Sequence, residues 1–255
     1  MNETLKLHCE YPVVRKRRIL VFDVETTGLI PGMDPITKKE RLVEEMPYII
    51  QLSFIVFNIL EFTIERTFNA YINIKDELLI TEKITDLTGI TREKCKTEGI
   101  PIADALYEFY HEYMLADYVI AHNISFDKRM ILFEIERNHL LLQERGADLI
   151  LNIFNPIFCK VRGIENYCTM HSSIHICNIM IENKTDKNKK PYKKFPKLAE
   201  LYFTLFHYKP ENLHNALVDT LVCLRCFLKI KMDKEIHEKK YEFMLESVMQ
   251  TLSIR

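Results

Sequence analysis

The stretch that decides the fold is Arg18-Ile-Leu-Val-Phe-Asp-Val-Glu-Thr-Thr-Gly-Leu29. Its run of apolar and β-branched residues is typical of a buried strand, and the glycine marks the turn that ends the strand. Successive side chains of a strand point to opposite faces, so Asp23 and Glu25 share one face and Val24 between them faces the opposite layer. Neighbouring carboxylates raise each other's pKa unless a hard divalent cation or a shared proton compensates. The stretch therefore predicts a metal site; in the alternative, one acid caps a following helix and the other is solvated.

Length and composition are those of a globular protein. The 255 residues suffice for one large domain, or for one domain with an appendage. The net charge of −1 draws the chain neither to nucleic acid nor to membranes, so a site for a polyanion must be a local patch. No apolar run approaches the roughly 20 residues of a membrane span. Seven scattered cysteines and a polar amino terminus favour a reducing, intracellular compartment, the cytoplasm or the nucleus.

Strand and helix patterns alternate along the rest of the chain. A loop rich in turn residues is expected over 28–46, and strands are expected at 49–57, 66–74 and 118–121. Apolar periodicity predicts helices at 76–87, 102–115, 126–142, 172–180, 198–206, 215–230 and 233–252. Residues 143–166 have no clear period, and we expect an irregular excursion with one short helix. The order of strand, loop and helix predicts an α/β fold whose loops gather at the carboxyl ends of the strands.

Two further acids stand where helices begin. Asp127 is expected in the first turn of the helix that follows the polar break His122-Asn-Ile-Ser125. On one helix, the ends of the run His214-Asn-Ala-Leu-Val-Asp219 would point about 140° apart. His214 is therefore expected in the loop before a helix and Asp219 one turn inside it, so that both reach one cleft. An acid among leucines and valines must be exposed or paired, and a metal ion would pair Asp219.

Two other segments leave alternatives open. Segment 168–177 holds two cysteines and two histidines, but their spacing matches no common zinc finger, so zinc is the lesser alternative there. The stretch 184–197 is strongly basic and interleaved with Tyr192 and Phe195. Such a stretch either grips a phosphate backbone and stacks a base, or is a solvated loop.

Three stretches, in this order, resemble the exonuclease motifs of a known family. They are Phe-Asp-Val-Glu-Thr-Thr-Gly at 22–28, Ala-His-Asn-Ile-Ser-Phe-Asp at 121–127 and His-Asn-Ala-Leu-Val-Asp at 214–219. The family is the DnaQ-like 3′–5′ exonucleases, in their histidine-containing DEDD branch, within the ribonuclease H-like superfamily. The likeness extends through 87–91, 168–170 and 195–202.

The resemblance implies a fold and a domain arrangement. The fold is a mixed five-stranded sheet with an antiparallel meander at one side and helices on both faces. The exonuclease domain covers 18–230, an amino-terminal extension covers 1–17, and a carboxyl-terminal helical extension covers 231–255.

The resemblance also implies a reaction and its residues. The reaction is metal-dependent hydrolysis from a 3′ end, which releases nucleoside 5′-monophosphates. Asp23, Glu25 and Asp219 bind one metal ion. Asp23 also reaches a second ion, which Asp127 holds directly or through water, and His214 is the general base. The expected ions are two Mg²⁺, with Mn²⁺ as a substitute, because both suit ligand sets made only of oxygen. Two such ions about 3.5–4 Å apart stabilise the attacking and leaving oxygens of a phosphoryl displacement.

The resemblance finally implies a substrate site. Family members hold the 3′-terminal nucleotide at the turn after the first motif, which here is Thr26, Thr27, Gly28 and Leu29. Lesser roles beside the metal ligands or the strand are implied for His122, Asn123 and Phe126.

The expected substrate is the single-stranded or frayed 3′ end of DNA, with proofreading beside a DNA polymerase as one role. RNA or short oligonucleotides are the alternative substrate. A binding module that has lost catalysis is the alternative of a different class, but it predicts a broken acid set, and this set is whole. The low glycine count and the many isoleucines and lysines fit an A/T-rich genome, such as that of a large virus or a phage.

Overall fold

A mixed five-stranded sheet forms the centre of the protein. The structure is a computed structural model that describes residues 17–33, 41–182, 190–210 and 213–253. The sheet has the strand order β3-β2-β1-β4-β5. Its strands are β1 (Arg18–Thr26), β2 (Ile49–Asn58), β3 (Thr63–Tyr71), β4 (Tyr118–Ala121) and β5 (Glu165–Cys168). Strands β1, β2 and β3 pair antiparallel, whereas β4 is parallel to β1 and β5 is parallel to β4. The predicted mixed sheet with a meander at one side is confirmed.

Helices cover both faces of this sheet. They are α1 (Glu82–Thr88), α2 (Arg92–Thr97), α3 (Ile102–Leu115), α4 (Ile124–Glu144), α5 (Pro156–Arg162), α6 (Thr169–Ser172), α7 (Ile174–Cys177), α8 (Leu198–Phe206), α9 (Ala216–Met232) and α10 (Glu238–Ser253). Phe22 and Val24 of β1 pack into one core with α3 and α4. Ile19 and Val21 pack into a second core with α8, α9 and α10. The alternation of side chains along β1 therefore separates the two cores, as a strand buried on both faces requires.

The fifth strand is the one strand of the central sheet that sequence reasoning did not locate. Residues 143–166 form a 3₁₀ turn at Ile150–Asn152, then α5, and then the first residues of β5. The four residues of β5 are too few for a recognisable period, and each is at least partly exposed. Its position is set by parallel pairing with β4, in which Ala121 lies opposite Cys168.

Other elements differ from the sequence predictions in their bounds. Strand β3 begins at Thr63 rather than at 66, because it follows a tight turn in which Phe62 has a φ of 58°. Helix α1 is shorter than the predicted 76–87, because Thr81 is extended and the helix starts only after it. The predicted helix over 172–180 is two single turns, α6 and α7, and the short helix α2 was not predicted.

The carboxyl-terminal helix α10 packs onto the same core as α9. Its residues Tyr241, Met244 and Val248 are buried there. In the parts of the chain that the structure describes, none of the helices has the length and apolar character to span a membrane. Residues 1–16 of the predicted extension and 183–189 of the basic stretch lie outside the described residues. The proposed domain bounds stay a prediction.

Candidate active site

Three carboxylates lie together at the carboxyl end of β1, the central strand of the sheet. Asp23 and Glu25 project from the β1 face that α9 covers, and Asp219 reaches them from the first turn of α9. One oxygen atom of each of these three side chains lies within 4.8 Å of the others. Helix α9 is fixed over this face by Leu217, Val218 and Leu221, which are completely buried. The apolar pattern that builds the core thus also sets the position of Asp219.

The fourth acid, Asp127, lies beside this group. It stands in the first turn of α4, as predicted, and its side chain is only 2% exposed. The pairing of β1 with β4 runs as far as Val21 and Ile120, and beyond it the backbone N–H of Val24 donates to Asp127 Oδ1 at 3.3 Å. Asp127 is therefore anchored to the residue that separates Asp23 from Glu25, although it lies outside the cluster of three.

His214 stands at the rim of the site, in the turn before α9 where the sequence placed it. Its side chain is exposed, and its backbone N–H donates to Asp219 Oδ2 at 3.1 Å. The φ of His214 is 71°, a left-handed conformation that costs a non-glycine residue roughly 1–2 kcal/mol. Such local strain persists only where the surrounding structure maintains it, and it is concentrated at functional sites. The side chain of Asn215 accepts from the N–H of Leu217 and so begins the helix directly after this turn.

Burial raises the pKa of all four carboxyls, and repulsion by neighbouring acids adds to the shift of Asp23, Glu25 and Asp127. It raises the pKa of Glu25 to about 8, and the charges of Asp219 and Asp127 add to the shift. The pKa of Asp127 is raised to about 8 and that of Asp219 to about 7, in both cases mainly by burial. Asp23 is affected by burial and by all three other acids, and its pKa is well above the usual value. A set of crowded carboxylates with oxygen donors only fits Mg²⁺ or Mn²⁺, whose charge would relieve the repulsion.

In the absence of divalent metal, the protein is expected to become less stable as the pH rises from about 4 to about 8. The pKa values of Glu25 and Asp127 in the folded protein, about 8, exceed their usual values of 4.5 and 3.8. The folded state therefore holds these protons more tightly than the unfolded state. Their stabilising effect is complete below the unfolded-state pKa and is lost as the pH passes the folded-state pKa.

Thermal unfolding in a chelator across this pH range measures the effect. The midpoint should fall by several degrees toward alkaline pH, and excess Mg²⁺ should remove most of the fall. The Asp219→Asn variant should show a shallower fall than the wild type. A midpoint that stays level or rises with pH in the chelator would contradict this account of the acids.

The turn expected to receive a 3′ end is hydrogen-bonded to Tyr48 on one side and is exposed on the other. Thr27 exchanges two hydrogen bonds with Tyr48: its N–H donates to the Tyr48 carbonyl at 2.9 Å, and its Oγ1 accepts from the Tyr48 N–H at 3.0 Å. Thr26 Oγ1 donates to the Gly28 carbonyl at 2.7 Å. A Cβ added at Gly28 would meet no heavy atom within 4 Å, and Leu29 is 84% exposed. The backbone and one apolar side chain are thus accessible to a ligand.

An arginine with a largely covered side chain, which sequence reasoning did not single out, supports this turn. Arg137 of α4 stacks against the ring of Tyr48, with its guanidinium carbon 3.7 Å from the ring centroid. It also pairs with Glu134 at 2.9 Å, and Glu134 in turn accepts from the N–H of Ile49. The guanidinium donates to the carbonyls of Val43, Met46 and Pro47. A charged pair spaced i, i+3 on an otherwise apolar helix face is the only signal that could have indicated it.

His122 joins three parts of the chain. Its Nε2 is 3.0 Å from the Pro196 carbonyl, and its Nδ1 is 2.9 Å from Thr169 Oγ1. A carbonyl can only accept, so Nε2 carries the proton and Nδ1 accepts from the threonine. Burial lowers the pKa of His122 to about 4, which keeps the ring neutral. Of the other residues expected here, Asn123 precedes α4 with a φ of 70°, and Phe126 packs against the core of α3 and α4.

Segment 168–177 shows no arrangement suited to zinc. Over the described ranges, the cluster of Asp23, Glu25 and Asp219 is the one group of acids, histidines or cysteines compact enough to hold an ion. His171 instead stacks on Phe195, and His175 contacts Lys193.

Comparisons with known proteins agree with this geometry. Residues 20–227 match the RNase_T family, which is described as exonuclease. No curated protein sequence matches the chain.

Solved structures of exonuclease I share the fold. Escherichia coli exonuclease I with a dT13 oligonucleotide superposes with a TM-score of 0.57 at 14% identity, over 86% of this chain and 42% of that one. The zinc-bound form of the E. coli enzyme with single-stranded DNA gives 0.53 at 13% identity, over 86% and 42%. Exonuclease I from Methylocaldum szegediense gives 0.53 at 13% identity, over 90% and 43%.

This chain therefore spans less than half the length of those structures, and at such low identity the likeness shows the shared fold. The family match covers most of the chain, including all four acids, and it confirms the resemblance that the three motifs carry. The chain belongs to the exonuclease family.

Proposed function

We propose that this chain is a metal-dependent 3′–5′ exonuclease that acts on single-stranded or frayed DNA ends and releases nucleoside 5′-monophosphates. The observation that carries the proposal is the meeting of Asp23, Glu25 and Asp219 within 4.8 Å, with Asp127 anchored beside them. The cluster joins residues from two distant parts of an exonuclease-family chain, and Asp127, from a third part, lies beside it. DNA is the proposed substrate because related folds have been solved with bound single-stranded DNA.

Each residue has a chemical role in this proposal. Asp23, Glu25 and Asp219 would hold one divalent cation, and Asp23 with Asp127 would hold a second. Mg²⁺ ions, or Mn²⁺ in their place, would stabilise the charge on the attacking and leaving oxygens of the phosphodiester. His214 takes the proton from the attacking water, a role for which a ring nitrogen of histidine is suited. Its exposed position lets the proton pass to solvent, and its backbone contact with Asp219 keeps it at the cluster.

The turn Thr26–Leu29 positions the 3′ end in this proposal. Its exposed leucine offers an apolar contact to the last base, and the open face above Gly28 lets the sugar approach the backbone. Tyr48 fixes the turn by its hydrogen bonds to Thr27, and Arg137 in turn packs against the Tyr48 ring. A polymerase partner and the cellular compartment stay predictions from the sequence.

End-labelled single strands test the proposal. With Mg²⁺, a 3′-labelled DNA strand should lose its label at once as a mononucleotide, while a 5′-labelled strand should shorten stepwise. A chelator should abolish both results. The Asp148→Asn variant, which alters an exposed acid near the far end of α4, should behave as the wild type.

Three outcomes would contradict the proposal or change it. Fragments from internal cuts would indicate an endonuclease, and shortening from the 5′ end would reverse the polarity. Faster digestion of a matched RNA strand would make RNA the substrate in place of DNA.

A further inference from the structure

Two exposed aromatic rings lie in or just after the second strand of a small hairpin. Its strands β6 (Met180–Ile181) and β7 (Tyr192–Lys193) pair antiparallel. The rings of Tyr192 and Phe195 are 53% and 51% exposed. Phe195 stacks on His171 of α6, with ring centroids 4.8 Å apart and planes inclined by 28°. Exposed aromatic rings offer faces on which nucleic-acid bases can stack.

The pair of Phe195 and His171, which we call the stacking platform, lies at the carboxyl edge of the sheet. His171 is in α6, which follows directly after β5. Pro196, next to Phe195, is tied by its carbonyl to His122 at the end of β4. Strands β1, β4 and β5 are parallel, so their carboxyl ends lie at the same edge of the sheet, where Asp23 and Glu25 also stand. The platform and the carboxylates therefore share one edge of the sheet.

Positive charge accompanies the rings. Lys190 is exposed, and the Lys193 ammonium lies 3.2 Å from His175 Nδ1 at the base of the hairpin. Lys194, in contrast, is paired with Glu200 at 2.5 Å and belongs to the fold rather than to the surface. Aromatic rings interspersed with lysines are complementary to a single strand, whose bases stack and whose phosphates are negative. An apolar peptide would not need this charge.

We propose that the stacking platform binds an internal nucleotide of the single strand whose 3′ end lies at the acidic site. A base stacks on the exposed face of Phe195, and Lys193 contacts a neighbouring phosphate. This inference rests on the proposed function in one respect, namely that the bound strand is the substrate. The stacking of a base on Phe195 does not depend on that function. Stacking does not depend on the identity of the base, so the platform holds strands of any sequence while they are shortened.

Binding and kinetics with the Phe195→Ala variant test the platform. Fluorescence anisotropy of a labelled oligonucleotide of about 12 nucleotides, in chelator so that no cleavage occurs, should show affinity reduced about tenfold. In Mg²⁺, KM for that strand should rise by a similar factor, while kcat on a dinucleotide should be unchanged. Phe195→Trp should keep the wild-type affinity, because a larger ring preserves the stacking. Phe243→Ala, which removes a 71% exposed ring on α10, is the matched control and should have no effect.

A second variant tests the charge. Lys193→Gln should weaken binding and reduce the slope of log affinity against log salt by about 0.7, the value for one phosphate contact on a single strand. An unchanged slope would remove Lys193 from the proposal.

Failure of the platform and failure of the proposed function give different results. If the wild type digests strands from the 3′ end and Phe195→Ala binds and digests them equally well, the platform is wrong and the exonuclease stands. If the wild type binds the strand without shortening it and Phe195→Ala binds more weakly, the platform stands without the exonuclease. Equal losses on the dinucleotide and the long strand would show a general disturbance of the site and overturn the platform.

Discussion

The Asp219→Asn substitution is expected to lower kcat by at least about a thousandfold while the fold stays intact. Asn keeps the volume of the side chain and one oxygen, but it removes the charge that completes the cluster with Asp23 and Glu25. Loss of several kcal/mol of charge stabilisation in the transition state corresponds to a loss of this size. Degradation of a 5′-labelled strand under single-turnover conditions measures it.

Two further measurements make this result specific. Circular dichroism should be unchanged, and the unfolding midpoint in chelator near pH 8 should rise, because one of four mutually repelling acids has lost its charge. Asp148→Asn should change neither activity nor midpoint. More than a tenth of the wild-type kcat in Asp219→Asn would show that this carboxylate does not hold a catalytic ion.

Removing the proposed base, in the variant His214→Asn, should lower kcat by roughly 10²- to 10⁴-fold with little change in KM. Asn is chosen because it tolerates the left-handed backbone at this position, where φ is 71°. The backbone N–H that donates to Asp219 is then preserved, and only the imidazole is lost. The pH profile supplies a readout that a structural role would not move. A histidine acts as a base only when neutral, so the wild-type kcat should fall toward acid pH and the variant should lack that part of the fall.

His237→Gln serves as the control for this experiment, because it alters an exposed histidine just before α10. It should leave kcat and the pH profile as in the wild type. If His214→Asn kept the full kcat and an unaltered profile, the proton acceptor would have to be another group.

Local patterns in the sequence are sufficient to locate much of the candidate site. The period of two along β1 puts Asp23 and Glu25 on one face, and the spacing of the run 214–219 puts Asp219 one turn inside a helix. That this helix, α9, covers the same face of β1 is visible only in the structure. The same reasoning put His214 outside the helix, where the structure has it. These residues belong to elements whose apolar periodicity is strong, and such elements fold as their own pattern dictates.

Features that depend on distant contacts were not visible in the sequence. Strand β5 exists because β4 offers it a partner, and not because its four residues favour a strand. The stacking of Arg137 on Tyr48 and that of Phe195 on His171 each join residues from separate elements. Such pairs carry no periodic signal, so the support beneath the turn and the platform beside the acids emerge only from the folded chain.

Anomalous diffraction from crystals grown with Mn²⁺ and a nucleoside 5′-monophosphate tests the central claim most directly. Two anomalous peaks should appear about 3.5–4 Å apart among the four acids of β1, α4 and α9. Asp23, Glu25 and Asp219 should contact one peak, and Asp23 and Asp127 should contact the other. Crystals of Asp219→Asn should lose at least one of these peaks. The account would be contradicted if wild-type crystals showed no manganese at the acidic cluster while the same protein still degraded strands.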